Sequence, residues 1–560
     1  MARRGSKVTR PPADDDTAGL AEIARGSTLN LAGAAVVAIS ALGVTVLVTR
    51  HFSAPVAGAF FTATSLFLIV EGIAGLGAYT GVIYFIARLR SLGAESRIPI
   101  LLRAAIVPVA VVSVVLACVL LLVAGPLSRE LLDGQVYRDA ARPAAVADAL
   151  RALAVTLPFA ALLDTFLGAT RGYRDMRPTV VVDRVVRSCL QLLGVLGAAL
   201  AGSAALLAPL WSVPYIPAAA VAWIWLRRIR RRQEPIRTAA QPASGSSPAL
   251  AIPIPGTLKD ERLASAHLNR DRRLDNANPK GFWMFTAPRA VATLAQTVIQ
   301  RLDIVLVGIL RGPVEAAIYT AATRFLVLGQ FGNAAISTAA QPQLSHLFAV
   351  NDRQGANAVY QVTTAWLIVL TWPLYLLAIT YRPDILALFG PYYRTGTTVI
   401  VILGLSMLGA TACGQVDLVL ISTGRSSWSL ANGLLALTTN VAVDLALIPQ
   451  HGITGAAIGW AAAITVANLL PLAQVAWVVR VHPFGKGALA ACTLTTLSFC
   501  IIPLISRVLF GDGAVASVLA LAAGCGALAV GLWRFRGPLQ LSAMPGLSFM
   551  GTHPGAKGTK

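Results

Sequence analysis

The sequence is poor in charge and in lysine. Only 13% of its 560 residues are Asp, Glu, Lys or Arg, while 56% are apolar and the mean hydropathy is +0.69. An ordinary globular chain carries about 25% charged residues, so this one lacks the polar surface to solvate its own apolar bulk. A soluble enzyme, a nucleic-acid binder and a disordered chain are therefore excluded as descriptions of the whole. The six cysteines (Cys118, Cys189, Cys413, Cys492, Cys500, Cys525) all lie in apolar runs, and none forms a CxxC pair. Neither a disulfide framework nor a metal site is expected. The six histidines are scattered without an HExxH pattern, which removes support for metal-dependent hydrolysis. No cofactor is implied.

What the chain has instead is long apolar runs, several exceeding the roughly 18 residues that mark a membrane span. The runs predict an all-α polytopic membrane protein of about fourteen transmembrane helices, near 29–50, 56–80, 98–124, 147–170, 178–201, 204–226, 282–310, 314–340, 358–380, 396–422, 427–449, 453–479, 487–508 and 513–534. Glycine and proline punctuate many boundaries, as at Pro55, Gly312-Pro313 and Gly390-Pro391. The expected organisation is a tail (1–26), a six-helix bundle (27–226), a basic linker (227–281), a second six-helix bundle (282–480), two added helices (481–536) and a second tail (537–560). The first apolar run is long enough to span, so no cleavable signal is expected.

Of 46 basic residues only 6 are lysine, and the net charge is +21. The arginine, alanine and valine bias hints at a high-GC bacterium and hence at its cytoplasmic membrane. With the N-terminus inside, and basic residues toward span ends assigned to the adjoining segments, inner segments hold 34 basic residues and outer segments 9, with Arg289, Arg301 and Arg324 left within spans. That asymmetry places both termini in the cytoplasm. The linker opens with Arg227, Arg228, Arg230, Arg231 and Arg232, a composition that suits contact with anionic membrane lipids. A regulatory docking role for it has no support in the sequence.

An internal repeat gives the architecture. "HFSAPVAGAFFTATSLFL" (51–68) resembles "LRGPVEAAIYTAATRFLV" (310–327), with Pro55 opposite Pro313. "LGATRGYRDMRP" (167–178) resembles "LISTGRSSWS" (420–429), with Gly172 opposite Gly424. The two offsets, 258 and 252, nearly agree. Six spans per copy is an even number, so the copies share one orientation, related by an axis along the membrane normal. Two parallel bundles around a cleft is transporter architecture.

An ionisable side chain at membrane depth costs about 2.5–3.5 kcal/mol on insertion scales and usually faces a cavity or a partner. In the seventh span Arg289, Thr293, Gln296, Gln300 and Asp303 recur at helical spacing, predicting one polar face. Arg301 lies beside it, and Arg324 in the next span falls at similar depth. Two such guanidinium forks suit phosphate oxygens. The competing reading is that these arginines neutralise Glu71, Asp417 or Asp444 and only hold helices together. The repeat positions of the stripe in the first span are apolar apart from Thr45, so cationic binding is expected mainly in the second bundle. The first bundle contributes Glu71 and a glycine-broken stretch, "EGIAGLGAYTG" (71–81), of the kind tolerated at membrane depth where it lines a cavity or is buried. Glu71 is either a protonation site or a buried acid paired with arginine, and Asp303, Asp417 and Asp444 stand with it as candidates for ion coupling or charge balance.

"RLDIVLVGILRGPVEAAIYTAATRF" (301–325), "STGRSSWSLANGLLALTTNVAVDLALIP" (422–449), "HGITGAAIGWAAA" (451–463) and "GVIYFIARL" (81–89) resemble the multidrug/oligosaccharidyl-lipid/polysaccharide (MOP) exporter superfamily, and within it the Wzx-like polysaccharide-biosynthesis flippase branch. The resemblance implies a MATE/MurJ-like fold, no covalent chemistry, and alternating-access export of a polyprenyl-diphosphate-linked oligosaccharide or cell-envelope glycan precursor. It implies a cationic cavity, mapped here onto Arg301 and Arg324 with Arg289, Gln296 and Gln300 nearby. The implied partners are the lipid-linked glycan, membrane lipids, the polysaccharide synthesis machinery and H+ or Na+ as driving ion, unless precursor flux alone drives transport. The long linker and the arginine-free first span argue against a peptidoglycan precursor. Alternatives are a MATE-like cation or drug antiporter, which calls for an acidic cavity, and a membrane-embedded glycosyltransferase or polymerase. The latter needs catalytic acids in an outer loop, where 125–146 offers Glu130, Asp133 and Asp139 without a paired motif.

Overall fold

The computed structural model describes residues 14–130, 143–233, 278–511 and 513–539. Most of the expected linker, most of the 125–146 loop and the outer parts of both tails lie outside the described residues. Among those described the chain is helical, with no strand. Among the described residues, twelve helical segments are long and apolar enough to cross a membrane. The two expected spans missing from that set are Thr179–Leu200 and Pro313–Ala349, helical but more polar. Both turn out to carry site residues.

In the first bundle α1 is Asp14–His51, α2 Ala54–Ala74, α3 Ala78–Ser91, α4 Ile98–Glu130 and α5 Pro143–Gly172. The next helix, α6, runs as a wider π-type coil over Thr179–Arg187 and as an α-helix over Ser188–Leu200, followed by α7 (Leu207–Ser212) and α8 (Tyr215–Gln233). The second bundle holds α9 (Pro279–Leu310), α10 (Pro313–Ala349), α11 (Arg353–Thr380), α12 (Thr397–Ala412), α13 (Val416–Ser422), α14 (Ser426–His451) and α15 (Ile453–Gln474). Proline opens α2, α9 and α10 within their first turn, where its missing N–H is not needed. Two further segments follow, Lys486–Phe510 and Ala514–Arg534. The first packs on α11, where the Arg507 guanidinium reaches the Thr380 carbonyl and Asp384.

The bundles meet along α2 and α3, which pack against α9 and α10. Small residues set this contact, as is usual where close backbone approach replaces a hydrophobic driving force. A Cβ on Gly58 would sit 1.6 Å from the Pro313 carbonyl oxygen, and one on Gly308 2.5 Å from Thr62 Oγ1. At the end of the molecule near residue 50, Arg50 donates to the Ala387 and Leu388 carbonyls, both at 2.7 Å. At the opposite end Tyr84 stacks on Phe285 at 4.1 Å, and Phe85 packs on Phe282 at 5.6 Å. The bundles therefore touch at both ends, with polar groups held between.

Candidate functional site

Arg301 stands nine residues before the end of α9, and Arg324 eleven residues after the start of α10. At 1.5 Å per residue both lie about 14–16 Å from the same end of the bundle. The Arg324 guanidinium is 5.9 Å from the centre of the Phe61 ring on α2, and its Nε is buried without a hydrogen-bond partner. Arg301 is its electrostatic neighbour and lies also within the field of Tyr215 on α8. Among the described residues neither arginine has an acid within salt-bridge distance, whether Glu71, Asp417 or Asp444. Among the described residues, the second bundle thus turns two neighbouring cations with no acid partner toward the first.

The polar stripe of α9 changes surroundings along its length. Arg289 is exposed, lying 3.7 Å over the Phe285 ring and donating to the Phe285 carbonyl at 3.1 Å. Gln296 and Gln300 are exposed and hold no hydrogen bond among the described residues. Asp303, expected to continue the stripe, is instead 3% exposed and turned into the second bundle, where it accepts a 2.7 Å bond from the Tyr319 hydroxyl. Seven residues from Gln296, Asp303 stays on the stripe's side of α9, but at its level that side meets Tyr319 of α10 and Asp444 of α14. Asp303 meets Asp444 of α14, which accepts a 3.0 Å bond from Asn440. Asp303 Oδ1, Asp444 Oδ1 and Asn440 Oδ1 remain buried without a partner. Asp417 is exposed in the first turn of α13, just past the break at Cys413–Gln415, apart from the other acids.

The first bundle holds what the sequence did not reveal. Between α2 and α3 the helix breaks at Gly75–Gly77, with Leu76 at φ 49° and Gly77 at φ 66°. A cavity of about 350 Å³ opens there, walled by Glu71, Asp164, Asp183, Arg171, Arg184 and Tyr79 and closed by Ala290, Thr293 and Thr297 of α9. Glu71 and Asp164 interact directly, by charge and by side-chain hydrogen bonding. Asp183 pairs with Arg187 at 2.7 Å, and Arg187 also donates to Gln191 at 2.9 Å and lies 4.8 Å over the Tyr215 ring. Arg171 donates to Thr179 at 3.2 Å and lies 5.5 Å over Tyr79. The first bundle thus also carries arginines, Arg171, Arg184 and Arg187, each beside an acid or a hydroxyl. Arg184 and Arg187 lie inside α6, a helix that turns its charges toward its own bundle and so lacks the apolar run of a lipid-facing span. The available signal was the i,i+4 spacing of Asp183 and Arg187, together with Asp164 alone in an apolar run.

Comparison with known proteins bears on the fold. Residues 288–445 match the MatE family. Aligned over 90% of this chain and 98% of the other, at 13% identity, the solved structure of "Lipid II flippase MurJ, inward closed conformation" superposes with a TM-score of 0.65. An inward-facing multidrug-resistance MATE family transporter of the MOP superfamily gives 0.54, over 82% of this chain and 94% of that one at 16% identity. These likenesses show the fold that the chain shares with both structures. Its twelve candidate spans among the described residues make it a multi-pass membrane protein. Its curated relative "Probable flippase AglR" of Haloferax volcanii is 27% identical over 216 residues, which are 35% of this chain and 44% of that protein. The chain thus spans under half the length of that relative.

Proposed function

We propose that this protein is a flippase of the MOP superfamily that moves a polyprenyl-diphosphate-linked glycan across the bacterial cytoplasmic membrane, with both termini cytoplasmic. The observation that carries the reading is the Arg301–Arg324 pair, two cations without an acid partner among the described residues, at matching depth between the bundles. In a low-dielectric site such a pair is costly unless an anion joins it. A diphosphate supplies two adjacent groups of acceptor oxygens suited to guanidinium forks. The head group enters between the bundles, the lipid tail stays in the bilayer, and rocking of the bundles delivers the head to the other side. The structural likeness to MurJ and the flippase relative support the same reading.

Coupling falls to Asp303 and Asp444. Three partnerless oxygens, two of them acidic, suit a shared proton or a Na+ ion, which prefers oxygen ligands. A MATE-like cation antiporter is the second reading, favoured by the MatE match and by Glu71 and Asp164 at the cavity. Against it, that cavity carries arginines beside its acids, and Arg301 and Arg324 would repel a cationic substrate.

The test is flipping of a lipid-linked sugar in proteoliposomes, measured together with membrane abundance. Arg301→Ala and Arg324→Ala should each abolish most flipping at normal abundance. Lysine keeps the charge but not the fork, so the Arg→Lys variants should retain partial flipping. Transport of small organic cations that survives Arg→Ala and fails in Glu71→Gln would support the antiporter instead. The orientation is tested by cysteine labelling in intact cells, where 125–146 should react and 227–281 should not.

A further inference from the structure

We infer that the cavity at the α2–α3 break is the subsite for the first sugar of the head group, a reading that rests on the diphosphate site proposed above. Three observations carry it. The first is continuity. Thr293, Thr297 and Arg301 follow one another at four-residue spacing on α9, so the cavity wall begins one turn, about 6 Å, from a proposed phosphate ligand. A sugar joined directly to the diphosphate has that reach.

The second is chemistry. A sugar ring offers hydroxyls that donate and accept, and this wall answers both. Glu71, Asp164 and Asp183 accept, Arg171 and Arg184 donate, and the hydroxyls of Thr293 and Thr297 add mixed capacity. Asp164 sits deep in the bundle, yet its surface is open to the cavity. Carboxylates and guanidiniums are nearly balanced here, which suits a neutral polyol better than a bare cation or a second phosphate.

The third is room. About 350 Å³ lies at the small end of ligand pockets, which run from about 300 to 1,000 Å³. The space exists because Gly72, Gly75 and Gly77 present no side chains. A Cβ on Gly77 would already lie 2.7 Å from Ala290. The subsite therefore admits one or two sugar residues and leaves the rest of a glycan outside it. It would sort substrates by the sugar next to the phosphate and ignore the distal end.

The test compares two probes on the full chain in nanodiscs, undecaprenyl diphosphate and undecaprenyl-diphosphate-N-acetylglucosamine, with binding read by native mass spectrometry. Wild type should hold the sugar-bearing probe more tightly. Asp164→Asn, nearly isosteric, should weaken that probe about tenfold and leave the sugar-free probe unchanged. Thr293→Leu, which fills the cavity from the other bundle, should do the same and guards against a folding defect in the first variant. Equal weakening of both probes, or of neither, overturns the subsite; equal weakening together with a changed pH dependence of flipping would make Asp164 a coupling group. If Arg301→Ala fails to weaken the sugar-free probe, the diphosphate site falls. A loss confined to the sugar-bearing probe in Asp164→Asn would still assign the sugar to the cavity.

Discussion

Each bundle holds an acid pair between its helices, and the two pairs are kept in opposite ways. In the first bundle Glu71 and Asp164 stand at an open cavity, with Asp183, Arg187, Arg171 and Arg184 close by. In the second, Asp303 and Asp444 are sealed, with only Tyr319 and Asn440 as partners and no cation within salt-bridge distance among the described residues. At the repeat offset of 258, Asp303 falls on Thr45, Tyr319 on Phe61, Arg301 on Gly43 and Arg324 on Leu66. The helix break has also moved. Gly75 falls on Asn333, inside the unbroken α10, and the second bundle breaks instead at Cys413–Gln415, where Gln415 bonds Asn333 and Ser337. Duplication kept the helical frame and separated the chemistry, so that the first bundle is balanced in charge while the second leaves two cations and two acids unmatched.

Removing one member of a balanced pair should hurt most. Asp183→Asn leaves Arg187 largely buried without its acid and should cost about 3 kcal/mol, read as a lower melting temperature of the purified protein. Adding Arg187→Gln should recover much of it. In the second bundle Tyr319→Phe removes a single buried bond to a carboxylate and should cost about 1.5 kcal/mol by the same measurement. The smallest effect sharpens the contrast. Asp444→Asn relieves repulsion with Asp303, so the melting temperature should hold or rise while the dependence of flipping on Na+ or pH is lost. A fall as large as that of Asp183→Asn would mean that the second pair is balanced by a cation after all.

The helices, the break near Gly75 and the repeat were legible because they depend on local pattern: apolar run length, glycine and proline placement, and a constant offset. Arg301 and Arg324 were legible as charges at matching depth. The first-bundle cavity was not, because Glu71, Asp164 and Asp183 come from three helices and meet only when α2, α5 and α6 pack. Periodicity on α9 grouped Asp303 with Gln296 and Gln300 on one face, but it cannot say where along the helix that face becomes covered, and at Asp303 it is. The exposed position of Asp417 at the start of α13 was not legible, because the break before that helix leaves little trace in the sequence beyond Gly414.

The most direct test measures the affinity of undecaprenyl diphosphate for wild type, Arg301→Ala, Arg324→Ala and each of these combined with Asp303→Asn or Asp444→Asn. Losing one charge-assisted partner should weaken binding about ten- to a hundredfold at unchanged melting temperature, with no recovery when an acid is neutralised as well. Unchanged affinity in both single variants, or affinity restored by either acid substitution, would contradict the account.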